Sequence, residues 1–221
     1  MIFSIEWEDK YLNNTQLSIW PWSELVSYVM RYARPSSPEY RVMEIGCGAG
    51  ANIPFFQNLG VQYFAIEGSE IIVKRLWERF PELEANIVAG DFTGNIPFPG
   101  PFDLVADRSA MTHNSTGAIK QGLKMIFDKL PRGGKYIGID WFSTVHAEYQ
   151  RGNPVDDKFT RDGYTEGQFA SVGRVHFSDR EHMQELFADY VMEILEHKVI
   201  YREVPPGNYT AAYWNLVARK A

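Results

Sequence analysis

A run of three glycines at alternate positions is the feature that most limits the folds open to this chain. Gly46, Gly48 and Gly50 form the run. A short apolar segment, 41–45, precedes it, and a segment compatible with a helix, 51–59, follows it. Glycines allow positive φ angles and close approach of a ligand to the backbone, and a helix start presents unpaired N–H groups. The pattern therefore predicts a strand, a tight turn and a helix N-terminus that together bind a ligand.

The glycine run is compatible with two kinds of site. Gly46, Gly48 and Ala51 satisfy the G-x-G-x-x-G/A pattern of dinucleotide-binding turns. Glu67 lies about 20 residues further on, where that pattern has an acid for the ribose. With Glu44 in front, the same glycines also read Glu-x-Gly-x-Gly-x-Gly. The glycines alone do not separate these alternatives, so the rest of the chain has to decide.

Composition favours one domain without a nucleic-acid partner. The chain has 221 residues, 45% of them hydrophobic, so we expect residues 1–221 to form a single domain around one core. A net charge of −6 and the lack of any Lys/Arg run longer than two residues predict no nucleic-acid partner. Cys47 is the single cysteine, and because no basic residue is near it in sequence, we expect a small core-facing residue rather than a nucleophile.

The first residues favour neither secretion nor membrane insertion. The N-terminus carries acids where a signal peptide needs positive charge, and no segment reaches the roughly 20 apolar residues of a membrane span. We therefore expect a soluble, cytoplasmic protein without a membrane partner.

Residues 1–38 are expected to form a helical N-terminal cap. Apolar residues recur at helical spacing within 20–33, and Pro21 suits a first helical turn. Trp7 and Tyr11 lie four residues apart. The interpretation that we favour for most of these aromatics is that they cover an edge of the sheet. The alternative is that they form part of a lid over the ligand.

Beyond the glycine turn, predicted strands alternate with predicted helices. Further strands are expected at 61–66, 86–89, 102–106 and 135–139, and helices at 69–80 and 115–130. This alternation predicts an α/β fold with a parallel sheet covered by helices on both faces. Acids follow the carboxyl ends of four strands: Glu67, Asp91, Asp107 and Asp140. Because ligands bind at this edge of open α/β sheets, the acids mark a candidate site.

The alternation is interrupted by the segment 142–177. Its length is typical of a functional insertion, and its aromatic residues favour an ordered cap over a linker. A capping box, Ser178-Asp-Arg-Glu181, predicts a helix from Ser178 to Tyr190. Two alternating segments, 191–204 and 209–220, predict an antiparallel pair of strands at the end of the chain.

The order of these motifs resembles that of the class I S-adenosylmethionine-dependent methyltransferases. The motifs are Glu44-Ile-Gly-Cys-Gly-Ala-Gly50 as motif I, an acid after strand two, Gly90-Asp91 after strand three, Phe102-Asp-Leu-Val at strand four, Pro131-Arg-Gly-Gly134 before strand five and a closing hairpin. The resemblance implies a Rossmann-like, mostly parallel sheet of seven strands in the order 3-2-1-4-5-7-6. It also implies S-adenosyl-L-methionine as the cofactor. A nicotinamide-binding domain would not need the hairpin.

The resemblance implies roles for the residues of the turn. Glu44, Gly46, Cys47, Gly48 and Gly50 would lie at the methionine end of the cofactor. Backbone groups of the turn would hold the amino and carboxylate groups there. Glu44 would steady the turn or reach the ammonium group through water.

Two strand ends are implied to hold the adenosyl group. Glu67, next to Gly68, has two acceptor oxygens for the two ribose hydroxyls. Asp91, between Gly90 and Phe92, would accept a hydrogen bond from the adenine amino group, with Phe92 near the ring. The alternative for each of these acids is that it caps the helix that follows.

The run after strand four resembles a narrower group of enzymes. Asp107-Arg-Ser-Ala-Met111 is similar to the Asp-Arg-x-Ala-Leu run of small-molecule methyltransferases of the thiopurine and tellurite type, and Asp107 is included in the predicted cofactor site. The chain lacks the Asn/Asp-Pro-Pro-Tyr signature of enzymes that methylate adenine or glutamine amide nitrogens. We therefore expect an acceptor other than the amino groups of nucleic acid.

Two residues are candidates for a catalytic base. His113 follows strand four in a polar loop at the ligand edge, and its alternative is a histidine that faces solvent. Asp140, at the end of strand five, is the second candidate, and His146 and His176 are weaker ones. No spacing resembles a known metal motif.

The acceptor is expected to be a small molecule or a glycan-type hydroxyl, methylated on oxygen. The negative net charge disfavours polyanions, and the supply of tryptophan and tyrosine suits a sugar face or a flat ring. Protein methylation stays open as a second acceptor class. Two functions of other classes also stay open, an NAD(P)-dependent oxidoreductase and a non-catalytic protein that binds S-adenosylmethionine.

Overall fold

A computed structural model of the protein describes residues 6–13 and 17–221. Its helices are α1 (Glu6–Leu12), α2 (Ser23–Tyr32), α3 (Ile53–Asn58), α4 (Glu70–Arg79), α5 (Thr116–Lys129) and α6 (Arg180–Leu186). Its strands are β1 (Arg41–Ile45), β2 (Gln62–Glu67), β3 (Ile87–Ala89), β4 (Leu104–Arg108), β5 (Lys135–Phe142), β6 (Asn153–Val155), β7 (Asp157–Asp162), β8 (Val175–His176), β9 (Val191–Tyr201) and β10 (Thr210–Arg219). Within these described ranges, no helix is both long and apolar enough to cross a membrane.

Seven strands form the central sheet, in the order β3-β2-β1-β4-β5-β10-β9. Strands β1 to β5 are parallel, and β10 runs antiparallel to both β5 and β9. Helices α3, α4 and α5 return the chain from β1 to β2, from β2 to β3 and from β4 to β5, whereas a loop without a helix connects β3 to β4. Counted along the chain within this sheet, the order is 3-2-1-4-5-7-6. The predicted fold class is confirmed.

A hydrophobic core lies on each face of the sheet. Val29 of α2, Phe56 of α3 and Leu76 of α4 belong to the core on one face. Leu123 of α5 and Met183 of α6 belong to the core on the other face. Helices therefore cover both faces, and strands β1, β4 and β5 are buried between them.

The predicted start of the helix after residue 177 is wrong. Asp179, not Ser178, is the N-cap of α6, and its Oδ1 accepts a hydrogen bond from the His182 N–H at 2.8 Å. Ser178 forms an isolated bridge with Ser143 instead, which holds its backbone in the extended conformation. The helix also ends at Leu186 rather than Tyr190. At the other end of the chain, α2 begins only at Ser23, after the proline.

The insertion 142–177 carries a small sheet and a small core of its own. Strands β6, β7 and β8 form an antiparallel three-stranded sheet. Phe142, Phe169 and Phe177 are buried together at its base. Asp157 fastens this segment to α5, because its Oδ2 accepts a hydrogen bond from the Thr116 N–H at 3.0 Å.

Candidate functional site

A cavity of about 570 Å³ lies where the carboxyl ends of β1, β2, β4 and β5 meet the insertion. Many of the predicted site residues line it: Glu44, Gly46, Cys47, Gly48, Glu67, Gly68, Asp91, Phe92, His113 and Asp140. Three of the predicted site residues, Gly50, Gly90 and Asp107, lie outside this lining. The cavity therefore lies at the edge of the sheet where the strand-end acids predicted a candidate site.

The three alternate glycines of the turn have different tasks. A Cβ on Gly46, whose φ is +63°, would lie 2.3 Å from the Ala110 Cβ, so only glycine allows the loop after β4 to approach. A Cβ on Gly50 would lie 2.6 Å from Leu76 Cδ2 of α4. Gly48 lines the cavity, and a Cβ on it would lie 3.4 Å from its nearest neighbour, the Tyr11 hydroxyl. Gly50 serves helix packing.

Glu44 anchors the turn from beneath. Its buried carboxylate accepts hydrogen bonds from Asn52 Nδ2 at 2.7 Å and from the Tyr63 hydroxyl at 2.6 Å. Burial raises the pKa of Glu44 to about 7, against the opposing effect of these two hydrogen bonds. The carboxyl therefore ties the start of α3 to β2 and also reaches the cavity.

Glu44→Gln is expected to change how stability depends on pH. The pKa of Glu44 is 4.5 without the fold and about 7 within it, so ionising this carboxyl costs folding free energy as the pH rises between these values. The wild type should lose about 3 kcal/mol relative to the variant between pH 4.5 and pH 7. Urea unfolding of both proteins at pH 5 and pH 8 measures the difference. Glu84→Gln, at an exposed carboxylate, is the control, and an equal pH dependence of wild type and Glu44→Gln would contradict the raised pKa.

Glu67 is the last residue of β2, and both of its carboxylate oxygens accept hydrogen bonds from backbone N–H groups. Oε2 accepts a hydrogen bond from the Gly48 N–H at 2.8 Å, and Oε1 accepts one from the Ser69 N–H at 3.1 Å. Burial raises the pKa of this carboxyl. Each carboxylate oxygen has a further acceptor direction, so Glu67 can still receive two ligand donors.

Asp91 lines the cavity next to the end of β3. Its Oδ1 accepts hydrogen bonds from the Thr93 N–H at 2.9 Å and from the Thr93 hydroxyl at 2.6 Å. These bonds fix the side chain and leave Oδ2 for a ligand. The neighbouring Gly90 donates its N–H to the Glu67 carbonyl at 2.9 Å, so it aligns the two strand ends rather than lining the cavity.

Asp107 lies behind the cavity. Its Oδ2 accepts hydrogen bonds from Trp141 Nε1 at 2.6 Å and from the Tyr136 hydroxyl at 3.0 Å. Its Oδ1 accepts from the N–H groups of Ala110 and Met111, at 2.8 and 3.3 Å. Burial raises the pKa of this carboxyl to about 6. The contacts give Asp107 a structural task, which differs from the predicted contact with the cofactor.

His113 is half-buried and lines the cavity, so the alternative of a histidine that faces solvent does not hold. Its Nδ1 lies 3.0 Å from the Arg174 carbonyl, to which it donates, so Nε2 carries the lone pair. The ring meets Trp7 edge-on, with 4.9 Å between ring centroids. Burial lowers the pKa of His113 to about 4, so the imidazole is neutral at pH 7.

Asp140 lines the same cavity, but its carboxylate forms ion pairs with two basic side chains. Its Oδ2 lies 3.1 Å from Arg108 Nη2, and its Oδ1 lies 2.7 Å from Lys198 Nζ. Its backbone has a φ of +57°, and its N–H donates to Asn215 Oδ1 at 2.9 Å. Both oxygens of this carboxylate are therefore already engaged by side chains of the protein. Of the two predicted bases, the geometry favours His113.

The N-terminal helix α1 covers one side of the cavity. Trp7 and Tyr11 both belong to the lining, which agrees with the lid alternative for these two residues. Glu8 fastens α1 to the start of α4, because it accepts hydrogen bonds from the Ser69 hydroxyl at 2.6 Å and from the Glu70 N–H at 3.0 Å.

Sequence analysis missed several residues of the lining as functional candidates. Lys198 comes from β9 and Tyr213 from β10, and only the strand order brings them to the end of β5. Arg108 belongs to the motif Asp107-Arg-Ser-Ala-Met111, but the sequence assigned no role to it. Its guanidinium lies 3.6 Å from the centre of a Trp22 ring. Gln168 and Phe169 come from the insertion, where no local spacing marks them.

Part of the sequence matches a methyltransferase family model, and the fold is similar to that of solved methyltransferases. Residues 42–134 match the family model of a methyltransferase domain. No curated protein matches the chain. Residues 42–134 thus form a methyltransferase domain. Its fold is similar to that of an S-adenosylmethionine-dependent methyltransferase from Methanosarcina mazei, with a TM-score of 0.67, 13% identity and coverage of 91% of this chain and 98% of that chain.

Two further solved structures have a similar fold. One is an S-adenosylmethionine-dependent methyltransferase from Clostridium acetobutylicum, with a TM-score of 0.65, 12% identity and coverage of 96% of each chain. The other is TehB from Haemophilus influenzae, with a TM-score of 0.62, 14% identity and coverage of 97% of this chain and 67% of that chain. At these identities the likeness concerns the fold.

The cavity of the methyltransferase fits the cofactor of its class at the glycine end. Gly48 leaves bare backbone there, and a side chain would fill the space toward the Tyr11 hydroxyl. The carboxylates of Glu67 and Asp91 line the same end and complement hydroxyl and amino donors. The volume also lies within the range of about 300–1,000 Å³ that is usual for cofactor sites.

Three further histidines and the cysteine lie in packed surroundings. His176 Nε2 lies 3.1 Å from His182 Nε2, and both rings are buried. His146 is buried against Phe142 and Phe169. Burial raises the pKa of the Cys47 thiol, as expected for a small core residue rather than a nucleophile. Within residues 6–13 and 17–221, no group of three or more metal-ligating side chains is arranged to hold a metal ion.

Proposed function

We propose that this methyltransferase transfers a methyl group from S-adenosylmethionine to a hydroxyl oxygen of a small molecule or sugar. One observation carries the proposal. Gly48 and Glu67 line one end of a single cavity, and the neutral imidazole of His113 lines the other part of it. A cofactor end and a proton acceptor in one enclosed space are what transfer to a hydroxyl requires.

Three groups of this chain would hold the cofactor. The free acceptor directions of Glu67 suit the two ribose hydroxyls, and Oδ2 of Asp91 suits the adenine amino group. The turn at Gly48 would lie against the methionine end, above Glu44. When bound, S-adenosylmethionine supplies a methyl group activated by a sulfonium, together with its own leaving group.

His113 would take the proton of the acceptor hydroxyl. An alcohol is a weak nucleophile until its proton moves, so an acceptor group beside it accelerates the reaction. The bond from Nδ1–H to the Arg174 carbonyl holds the ring in the tautomer whose Nε2 accepts. Trp7 and Phe142 pack edge-on against the ring and shield it from water.

The walls around His113 favour a small acceptor with an apolar face. Phe142, Phe169 and Tyr213 line this part of the cavity. Aromatic faces suit a sugar ring or a flat ring, and the net charge of −6 disfavours a polyanionic acceptor. These observations favour a small molecule or a glycan-type hydroxyl over a nucleic acid.

Parallel calorimetric titrations with S-adenosylmethionine, S-adenosylhomocysteine and NAD⁺ test the cofactor. We expect the first two to bind with micromolar affinity and NAD⁺ not to bind. Binding of NAD⁺ alone would mean that the glycine turn belongs to an oxidoreductase. Cofactor binding without methylation across a panel of hydroxylated acceptors would favour the non-catalytic alternative.

Glu67→Gln is expected to weaken S-adenosylmethionine binding by about 1–3 kcal/mol, because charge-assisted hydrogen bonds are lost. The amide keeps the size of the side chain but has a single acceptor oxygen for the Gly48 N–H, the Ser69 N–H and the ligand together. Calorimetry measures the affinity. Glu84→Gln, an exposed carboxylate outside the lining, serves as the matched control. Unchanged affinity in Glu67→Gln would remove this residue from the ribose site.

A further inference from the structure

The acceptor part of the cavity contains a cluster of charges that the proposed chemistry does not use. Arg108, Asp140 and Lys198 all line the cavity. Asp140 bridges the two cations, at 3.1 Å from Arg108 and 2.7 Å from Lys198. Lys198 also pairs with Glu24, which lies outside the lining. The cluster is therefore a network of ion pairs in the cavity wall, and not an isolated ion pair at the protein surface.

Arg108 has hydrogen-bond donors that Asp140 does not engage. An arginine has five N–H donors in a planar fork, and Asp140 engages only the Nη2 end. Nε is buried and has no hydrogen-bond partner within the described part of the chain. The guanidinium lies 3.6 Å from the centre of the Trp22 ring, so its plane is held in place by stacking. The donors of the guanidinium that Asp140 does not engage are the ones that a ligand acceptor can use.

Two cations and two acids meet at this part of the cavity. Arg108 and Lys198 contribute two positive charges, and Asp140 and Glu24, which pairs with Lys198, contribute two negative charges. The other acids of the lining, Glu67 among them, stand at the cofactor end. Lys198 is shared by both acids, whereas Asp140 engages one end of the Arg108 guanidinium, so the guanidinium is the group whose donors are left for a ligand.

We propose that the acceptor carries a carboxylate and that Arg108 binds it, with Lys198 as the second cation. This inference rests on the proposed function and adds the chemical class of the acceptor to it. A planar guanidinium matches the two oxygens of a carboxylate better than a single hydroxyl. Phe142 and Tyr213 receive the body of the molecule, and the hydroxyl to be methylated lies toward His113. The acceptor is thus a small hydroxy acid, such as a sugar acid or an aromatic hydroxy acid.

Pairs of acids and their amides test the inference on the full-length protein saturated with S-adenosylhomocysteine. Suitable pairs are 4-hydroxybenzoate and 4-hydroxybenzamide, mandelate and mandelamide, and glucuronate and glucuronamide. In at least one pair, we expect the acid to bind about tenfold or more tightly than the amide by calorimetry. Arg108→Gln should abolish this preference and leave the affinity for S-adenosylhomocysteine within about twofold.

Two further variants keep the experiment interpretable. Arg132→Gln changes an exposed arginine outside the lining and should leave the preference for acids unchanged. Arg108→Lys retains the charge and its attraction to Asp140 but loses the fork, so it decides the question if Arg108→Gln does not fold. We expect it to reduce the preference about tenfold.

Three results would overturn the inference. The first is the absence of a preference for the acid in every pair. The second is a preference that persists in both variants of Arg108. The third is a loss of about tenfold or more in affinity for S-adenosylhomocysteine in these variants, which would assign Arg108 to the carboxylate of the cofactor. A wild-type protein that binds neither S-adenosylmethionine nor S-adenosylhomocysteine would instead contradict the proposed function itself.

Discussion

His113→Ala is expected to reduce turnover by about 10²- to 10⁴-fold, because the acceptor hydroxyl loses its proton acceptor. His113 is neutral at pH 7, and its Nε2 is kept as the acceptor by the bond from Nδ1–H to the Arg174 carbonyl. The side chain stands away from the glycine turn, so affinity for S-adenosylmethionine should stay nearly unchanged. Turnover at saturating cofactor and a calorimetric titration, measured on one preparation, separate the two effects.

The pH profile gives a second readout for His113. Because the pKa of the ring lies at about 4, the wild type should show no loss of activity from histidine protonation between pH 6 and pH 8. His197→Ala, outside the lining, is the control and should retain its activity. A fully active His113→Ala variant would exclude the base role. Activity that falls steeply below pH 7 in the wild type would contradict the lowered pKa.

Asp107→Ala is expected to lower the free energy of unfolding by about 3 kcal/mol or more, because several buried donors lose their acceptor at once. The carboxylate accepts from the side chains of Tyr136 and Trp141 and from two backbone N–H groups after β4. Alanine also leaves a small cavity between β4 and β5. Urea unfolding at pH 7.5 measures the loss.

Cofactor affinity distinguishes this structural task from the cofactor contact that the sequence predicted. The fraction of Asp107→Ala that is folded at low temperature should bind S-adenosylmethionine with affinity close to that of the wild type. Asp128→Ala removes an exposed carboxylate of α5 and should change stability by less than about 0.5 kcal/mol. Normal stability with weakened cofactor binding would reverse the assignment of Asp107.

Local patterns in the sequence were sufficient for the strands of the central sheet and for most of the helices between them. The apolar segment, the alternate glycines and the following helix are contiguous, and their conformations follow from short-range sterics. Ser69 caps α4 as predicted, because its hydroxyl accepts from the Ile72 N–H at 3.2 Å, only three residues away. The acids at strand ends follow the same logic, since parallel strands bring their carboxyl ends to one edge.

The sequence did not predict in which direction the side chains at these strand ends point. Glu67 is the last residue of β2 and Asp107 is the last but one of β4, yet Glu67 lines the cavity and Asp107 turns into the core toward Trp141. Residues i and i+1 of a strand point to opposite faces, so a shift of one residue in where the strand ends reverses the outcome. Only the tertiary structure shows which face each carboxylate takes.

The sequence by itself determined the α/β class, because contiguous residues carry that signal, and it predicted the residues at the glycine end of the cavity. The order of the sheet followed from the resemblance to a methyltransferase family. The tertiary structure decided the acceptor end. Lys198 stands 58 residues after Asp140, and Arg108 meets Trp22 of the N-terminal region across the ends of the sheet. Such pairs depend on strand order and helix packing, which no spacing along the chain encodes. The same packing placed Trp7 beside His113 and the Arg108 guanidinium over the Trp22 ring.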